Sequence, residues 1–374
     1  MLNNTEKRII NLIRENPTIS RIEIVERLKL SKPVVSVNIK RLIELGFVRE
    51  TDESVASRKF GRKRIGLSFV PDCMYIVGID IGAAKIEAII GDLDGNIVKS
   101  KKLSTEGIKT KGRLIESIQS IIYELIRGFK KKIVGIGVGV PGTVGPTGGI
   151  VKDMPAFGLK DIDLKNPLEK EFRLPVFVEN DVTLDAYAEG RIGAGRGYKN
   201  LFLLSLGKGI GGGIIVEGEI YRGSTGDAGE VGRIFTDWEN DKNLINPSFG
   251  VLEGWFSGIS LEKKLLTIGI NTPKEGFALM EKDKRVEKII KDGIYHTGIA
   301  LANVIFILNP EVIIIKGGIG YNQYEKIMKY MTPIIEEIVP SEILKDVTFK
   351  RGMFKEFGVA IGAIFLAQKE ILEI

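Results

Sequence analysis

One cysteine, Cys73, in a chain of 374 residues excludes an intrachain disulfide and a cysteine-rich zinc site. One histidine, His296, has no serine or cysteine nucleophile beside it in any recognisable motif, which assigns it to the surface or the core rather than to catalysis. No apolar run reaches the roughly 18–20 residues needed to cross a bilayer. The opening MLNNTEKRII lacks the apolar stretch of a secretory signal. These absences describe a cytoplasmic protein. Glutamine is scarce while lysine, glutamate and isoleucine abound, a bias that leans towards a thermophile.

Missing too is any charge excess over most of the chain. Residues 1–70 hold 15 Lys and Arg against 8 Asp and Glu, whereas the rest of the chain is one charge negative, so the whole net +6 resides in the first fifth. A basic module beside a near-neutral body is the footprint of a unit that binds a polyanion.

The pattern within that module is specific. Ile9, Ile10, Leu12 and Ile13 mark one face of a helix opening near Asn4 and closing at Asn16-Pro17. Ser20 and Glu23 form a capping box for a second helix. Ser31 is placed to cap a third, with Pro33 in its first turn and Val34, Val35, Val37, Ile39, Leu42 and Leu45 as its apolar face. Three short helices with a tight turn before the third predict a helix-turn-helix, whose third helix enters the major groove. Lys32, Ser36, Asn38 and Lys40 are then the side chains that meet DNA. Strands at 47–51 and 64–69 should follow. Between them Arg58, Lys59, Arg62, Lys63 and Arg64 crowd around Gly61 as a basic wing for phosphates.

Beyond Pro71-Asp72 strands and helices alternate. Strands are expected at 74–81, 86–92, 97–103, 133–140, 201–206, 213–216 and 311–316, with helices at 114–129, 286–308, 324–338 and 358–372. The hairpin turns Asp94-Gly95 and Glu217-Gly218 recur 123 residues apart, each after a strand, a glycine turn and a strand. That repeat predicts an α/β body of two related lobes with a ligand cleft between them. Asp80 to Lys85 and Gly207 to Gly213 are glycine turns whose amides can cradle phosphate, and neither is a Walker or Rossmann motif.

From residue 74 onward the chain resembles the ROK family of repressors, open reading frames and kinases, relatives of the actin-like sugar kinases. The resemblance rests on Asp80–Lys85 for the family's D-x-G-x-T-K, Gly137–Gly142 for G-x-G-x-P-G and Glu179-Asn180-Asp181 for E-N-D. It continues in Ala228–Arg233 for A-G-E-x-G-H, Gly250–Glu253 for the end of the cysteine-rich motif, and Gly317-Gly318. It implies a winged helix-turn-helix at 1–71, a first lobe at 72–182 with 358–374, and a second at 183–357. It implies sugar contacts from Asn180, Asp181, Glu230, Arg233 and Glu253. The nucleotide side it implies is degenerate: Asp80, Gly82, Ala84, Lys85, Gly207, Lys208, Gly209, Gly317 and Gly318. Ala84 and Lys208 stand where the family has threonines. The family's zinc ligands fall on Arg233, Leu244, Asn246 and Val251, none of them a zinc donor here, so no metal is expected.

The implied function is a sugar-responsive transcription regulator, a repressor acting as a homodimer or larger homo-oligomer on operator DNA, with a monosaccharide effector, no membrane and no required cofactor. The alternative is a sugar kinase with a DNA-binding arm, using Mg-ATP and Asp181 as general base.

Overall fold

Asn3 opens the first helix. Its carboxamide accepts from the Glu6 amide at 2.9 Å while the Glu6 carboxylate accepts from the Asn3 amide at 2.7 Å, a complete capping box. The computed structural model describes residues 2–55, 64–145, 148–242 and 250–373. In it α1 spans Asn4–Glu15, α2 Arg21–Leu28 and α3 Lys32–Glu44. The expected Ser20–Glu23 box starts α2, and Lys29, with φ +53°, turns the chain out of it.

Two expectations for α3 fail. Ser31 occupies the N-cap position but its hydroxyl makes no capping bond. Pro33 in the first turn has no N–H to satisfy, which reduces the need for one. Of the six apolar residues assigned to one face, only Val35, Ile39 and Leu42 are buried, while Val34, Val37 and Leu45 are exposed. At about 100° per residue the first three span one narrow stripe, and Val37 points almost directly away from it.

Ile19–Ser20, Arg64–Phe69 and Val48–Val55 form one antiparallel sheet beside these helices. Val55 pairs with Arg64, closing the hairpin expected of a wing. Residues 56–63, with Arg58, Lys59, Arg62 and Lys63, lie outside the described residues.

The body contains two five-stranded sheets. The first has the order Val176–Asn180, Ile133–Val140, Tyr75–Ile81, Lys85–Asp92, Ile97–Ser104. The second has the order Glu219–Ile220, Ile210–Val216, Leu201–Leu206, Val312–Lys316, Thr348–Arg351. Each combines an antiparallel hairpin with parallel neighbours, so the repeat seen as recurring turns is a repeat of sheets. The expected strand at 213–216 begins earlier, at Ile210, and the helix expected at 114–129 runs Lys111–Ile126.

Two helices join the sheets. The C-terminal helix Gly358–Leu372 lies across the first sheet, where Gly78 and Gly137 leave no room for a Cβ against the Ala360 and Ala363 carbonyls. It also crosses the helix Asp181–Ile192 at Gly362, which rests on the Leu184 carbonyl. Backbone approach of this kind needs glycine. Helix Asp181–Ile192 in turn covers Gly211 and Gly213 of the second sheet.

The winged unit is pinned to the body. Arg14 donates to the Leu93 carbonyl at 3.1 Å and to Asp94 at 3.0 Å, with its guanidinium over the Phe69 ring. With its amide oriented to satisfy both neighbours, Gln368 accepts from Arg14 at 3.0 Å and donates to Leu93. Asp92 holds the expected 94–95 turn by accepting the Asp94 and Asn96 amides.

Candidate ligand cleft and nucleic-acid interface

Strand Val176–Asn180 runs straight into helix Asp181–Ile192, and two of the expected ligand residues, Asn180 and Asp181, stand at this junction. Asn180 is the N-cap: its oxygen accepts from the Thr183 amide at 3.0 Å and its nitrogen donates to the Gly142 carbonyl at 3.1 Å. It therefore ties two of the sequence motifs together and keeps one donor and one lone pair for a ligand. Asp181 follows in the first helical turn and accepts from the Val182 amide at 2.9 Å.

The electrostatics centre on carboxylates. Burial lifts Asp181 from 3.8 to about 7, with further upward pushes from Asp185 and Glu230. Burial, then Asp181 and Glu87, hold Asp80 well above its ordinary value. Three of the expected residues, Asp80, Asp181 and Glu230, thus share one electrostatic environment across the lobes. Arg233 pairs with Glu230 at 3.2 Å. At Glu253 one oxygen accepts the Ile210 amide at 2.9 Å and the other the Gly250 amide at 2.8 Å. Both oxygens hold backbone, so Glu253 positions the second glycine turn while each oxygen keeps a lone pair for a ligand.

The residues missed in the sequence lie just behind. Lys316 is only 5% exposed at the end of strand Val312–Lys316. Its ammonium pairs with Asp185 and, at 3.3 Å, with Glu189. Glu189 also accepts the Ala194, Met353 and Phe354 amides, which lock the helix to both loops that join the sheets. The available signals were a lysine closing an aliphatic strand, VIIIK, and two acids four apart on a helix. Glu179, buried beside Asn180, is held by Arg222.

On the nucleotide side, Gly82 and Lys85 close the first turn through the Gly82 amide and Lys85 carbonyl at 2.9 Å. The Lys85 ammonium is 2.9 Å from Glu87, which also holds Lys102 at 2.9 Å. Ala84 supplies no hydroxyl there. In the second turn the Gly207 amide donates to the Gly209 carbonyl, and the Gly207 and Lys208 carbonyls accept the Gly258 and Ile259 amides. Gly317 has φ +77° against Leu206, and Gly318 lines a groove of about 430 Å³ with Pro273, Phe277 and Asn322.

On α3, Lys32, Ser36 and Lys40 are exposed. Asn38 is partly committed, donating to the Val34 carbonyl at 2.8 Å and accepting from Asn3 at 3.2 Å. Val37 stands among them 68% exposed.

His296 is buried, 2.7 Å from the Thr236 hydroxyl and stacked on Trp255. Trp255 donates to Asp241 at 2.7 Å. This knot anchors the segment after Arg233. Arg233 and Val251 bring no zinc-donor atoms, and Leu244 and Asn246 lie outside the described residues.

Comparison with known proteins places these observations. Residues 76–370 match the ROK family and residues 2–49 match a winged helix-turn-helix DNA-binding family. The chain is 30% identical over 319 residues to the xylose repressor of Bacillus subtilis (strain 168), covering 84% of this chain and 82% of that one. It is 31% identical over 267 residues to a glucokinase of Halalkalibacterium halodurans, an alignment covering 66% of this chain and 81% of that enzyme. Among solved structures it is similar to a ROK family transcriptional regulator described as a homologue of the Escherichia coli MLC protein. That match has a TM-score of 0.83 at 25% identity and covers 98% of this chain and 95% of the other.

Proposed function

Because this chain belongs to the ROK family and carries a winged helix-turn-helix ahead of the family's domain, we propose that it is a sugar-responsive transcriptional repressor holding its effector between the two lobes. The observation that carries the reading is the continuity of the repressor likeness, in fold and sequence, through both the DNA-binding unit and the body. The units are residues 1–71, residues 72–182 with 358–374, and residues 183–357, and the active species is a homodimer on a paired operator.

In this reading Asp181, Asn180 and Glu230 meet sugar hydroxyls, Arg233 donates to them, and Glu253 keeps the floor of the cleft in place. A carboxylate with few remaining donors is a strong hydroxyl acceptor in a desolvated site. Helix Asp181–Ile192 starts at the sugar and ends at a groove shared with the winged unit, so lobe closure is carried along one rigid element. A ligand shifts that equilibrium only by its differential affinity for the closed form. D-Xylose is the effector to try first, given the name of the Bacillus subtilis relative.

The family also includes sugar kinases, and Asp181 is suitably placed to act as a base. The nucleotide side favours the regulator: Ala84 lacks a hydroxyl, and the Lys85 ammonium is paired with Glu87. Fluorescence anisotropy on DNA upstream of its own gene, with and without xylose, tests the reading, and loss of binding on adding the sugar is expected. Unchanged affinity with every pentose and hexose tried would overturn the effector role. Multiple-turnover phosphorylation of a sugar by Mg-ATP, near the enzyme median of about 10 per second, would make the chain a kinase.

A further inference from the structure

A second cavity lies away from the cleft, where the winged unit meets the body. Arg14 from α1, Arg191 from the end of helix Asp181–Ile192 and Arg196 from the following loop line one groove of about 680 Å³, with Asp94, Glu15 and Asn96 around them. Asp94 is taken by Arg14. Arg191 lies over the Tyr187 and Phe365 rings at 5.8 and 5.5 Å, and no carboxylate among the described residues pairs with it. The Arg196 side chain has no polar partner among the described residues. Burial, and against the pull of Asp94 the field of Arg191, lower the proton affinity of Arg14.

We propose that this groove is a second ligand site, taking a small phosphate-bearing anion between the DNA-binding unit and the body. Planar guanidinium forks match phosphate oxygens two at a time and carry a charge that does not titrate away. The volume falls within the range of small-molecule pockets. The arginines come from both units, so an anion held by all three braces the winged unit at one angle. Arg191 also sits at the far end of the helix that begins with Asp181, about 15 Å away at 1.5 Å per residue. Sugar and anion therefore act on opposite ends of one element, and each must change the other's affinity by the same factor.

Calorimetry and thermal shift on the full chain provide the test, with inorganic phosphate and glucose 6-phosphate as probes against sodium chloride at equal ionic strength. Both probes should stabilise the protein beyond chloride, with glucose 6-phosphate the tighter if an organic phosphate is the natural occupant. Arg196→Ala, at an exposed position that leaves the core untouched, should weaken phosphate roughly tenfold, while Asp181→Ala should leave inorganic phosphate binding intact. Stabilisation no greater than with chloride would overturn the proposal. So would loss with Asp181→Ala but not Arg196→Ala, which places the anion in the sugar cleft. Weakened operator binding in Arg196→Ala with phosphate binding unchanged assigns the arginines to the DNA backbone and also overturns it. Because anion binding is read directly, its failure leaves the repressor reading standing.

Discussion

At the scale of single residues, Asp181 and Lys316 make the strongest commitments. Burial raises Asp181 to about 7, and a sugar hydroxyl donates best to the ionised form. Sugar affinity should therefore be full above pH 7 and fall as pH drops through it, with Asp181→Asn flattening the profile in calorimetric titrations across neutral pH. A profile that survives in Asp181→Asn would point to Asp80 instead. For folding the sign is opposite. The folded chain holds this proton more tightly than the unfolded one, so this contribution is present at low pH and lost as pH rises from 3.8 through about 7. Lys316 is buried between Asp185 and Glu189. Lys316→Met would leave two carboxylates facing each other without a counter-charge, and should cost about 3–5 kcal/mol in urea unfolding. A loss below about 1 kcal/mol would show that the pair does not hold the lobes together.

At the scale of elements, α3 divides its valines between two tasks. Val35, Ile39 and Leu42 bind the helix to α1 and the sheet, whereas Val37 is neither buried nor a good helix former. Exposed in sequence between Ser36 and Lys40, in the proposed major-groove docking it is suited to a thymine methyl group. Val37→Ser should leave thermal stability unchanged and lower affinity for a selected operator roughly fourfold, from about 0.8 kcal/mol per buried methyl. Replacing each operator thymine by uracil in turn should find one base whose change weakens the wild type but not Val37→Ser. If no position behaves this way, Val37 reads nothing.

At the scale of the whole molecule, the contact at Arg14 joins the winged unit to the body. Removing residues 1–71 should abolish operator binding while leaving sugar affinity intact by calorimetry, since the cleft residues all come from the body. DNA binding retained by the truncated chain would refute the assignment of the winged unit. Arg14→Ala is a finer test. It deletes the bonds to Leu93, Asp94 and Gln368 together. Sugar binding and DNA binding should each survive, while the sugar's effect on DNA affinity shrinks. An undiminished sugar effect in anisotropy titrations would mean that coupling runs elsewhere.

Local order and periodicity determined much of this protein in advance. The Ser20–Glu23 box, the 94–95 turn, the aliphatic strands and the helix Gly358–Leu372 are each encoded by neighbours a few residues apart, where capping and side-chain period act directly. The motif order likewise singled out Asp80, Asp181 and Glu230, carboxylates that the fold brings within one another's electrostatic reach. Tertiary structure alone decided what those residues do with their free bonds. Glu253 takes the Ile210 amide, from the start of a strand, and the Gly250 amide, an arrangement no local pattern announces. Lys316 gave almost no warning, because its partners lie 131 and 127 positions away and only sheet pairing brings them together. The outward turn of Val37 was a matter of angle. Composition said that α3 had enough apolar residues, and packing chose which three of them the core could take.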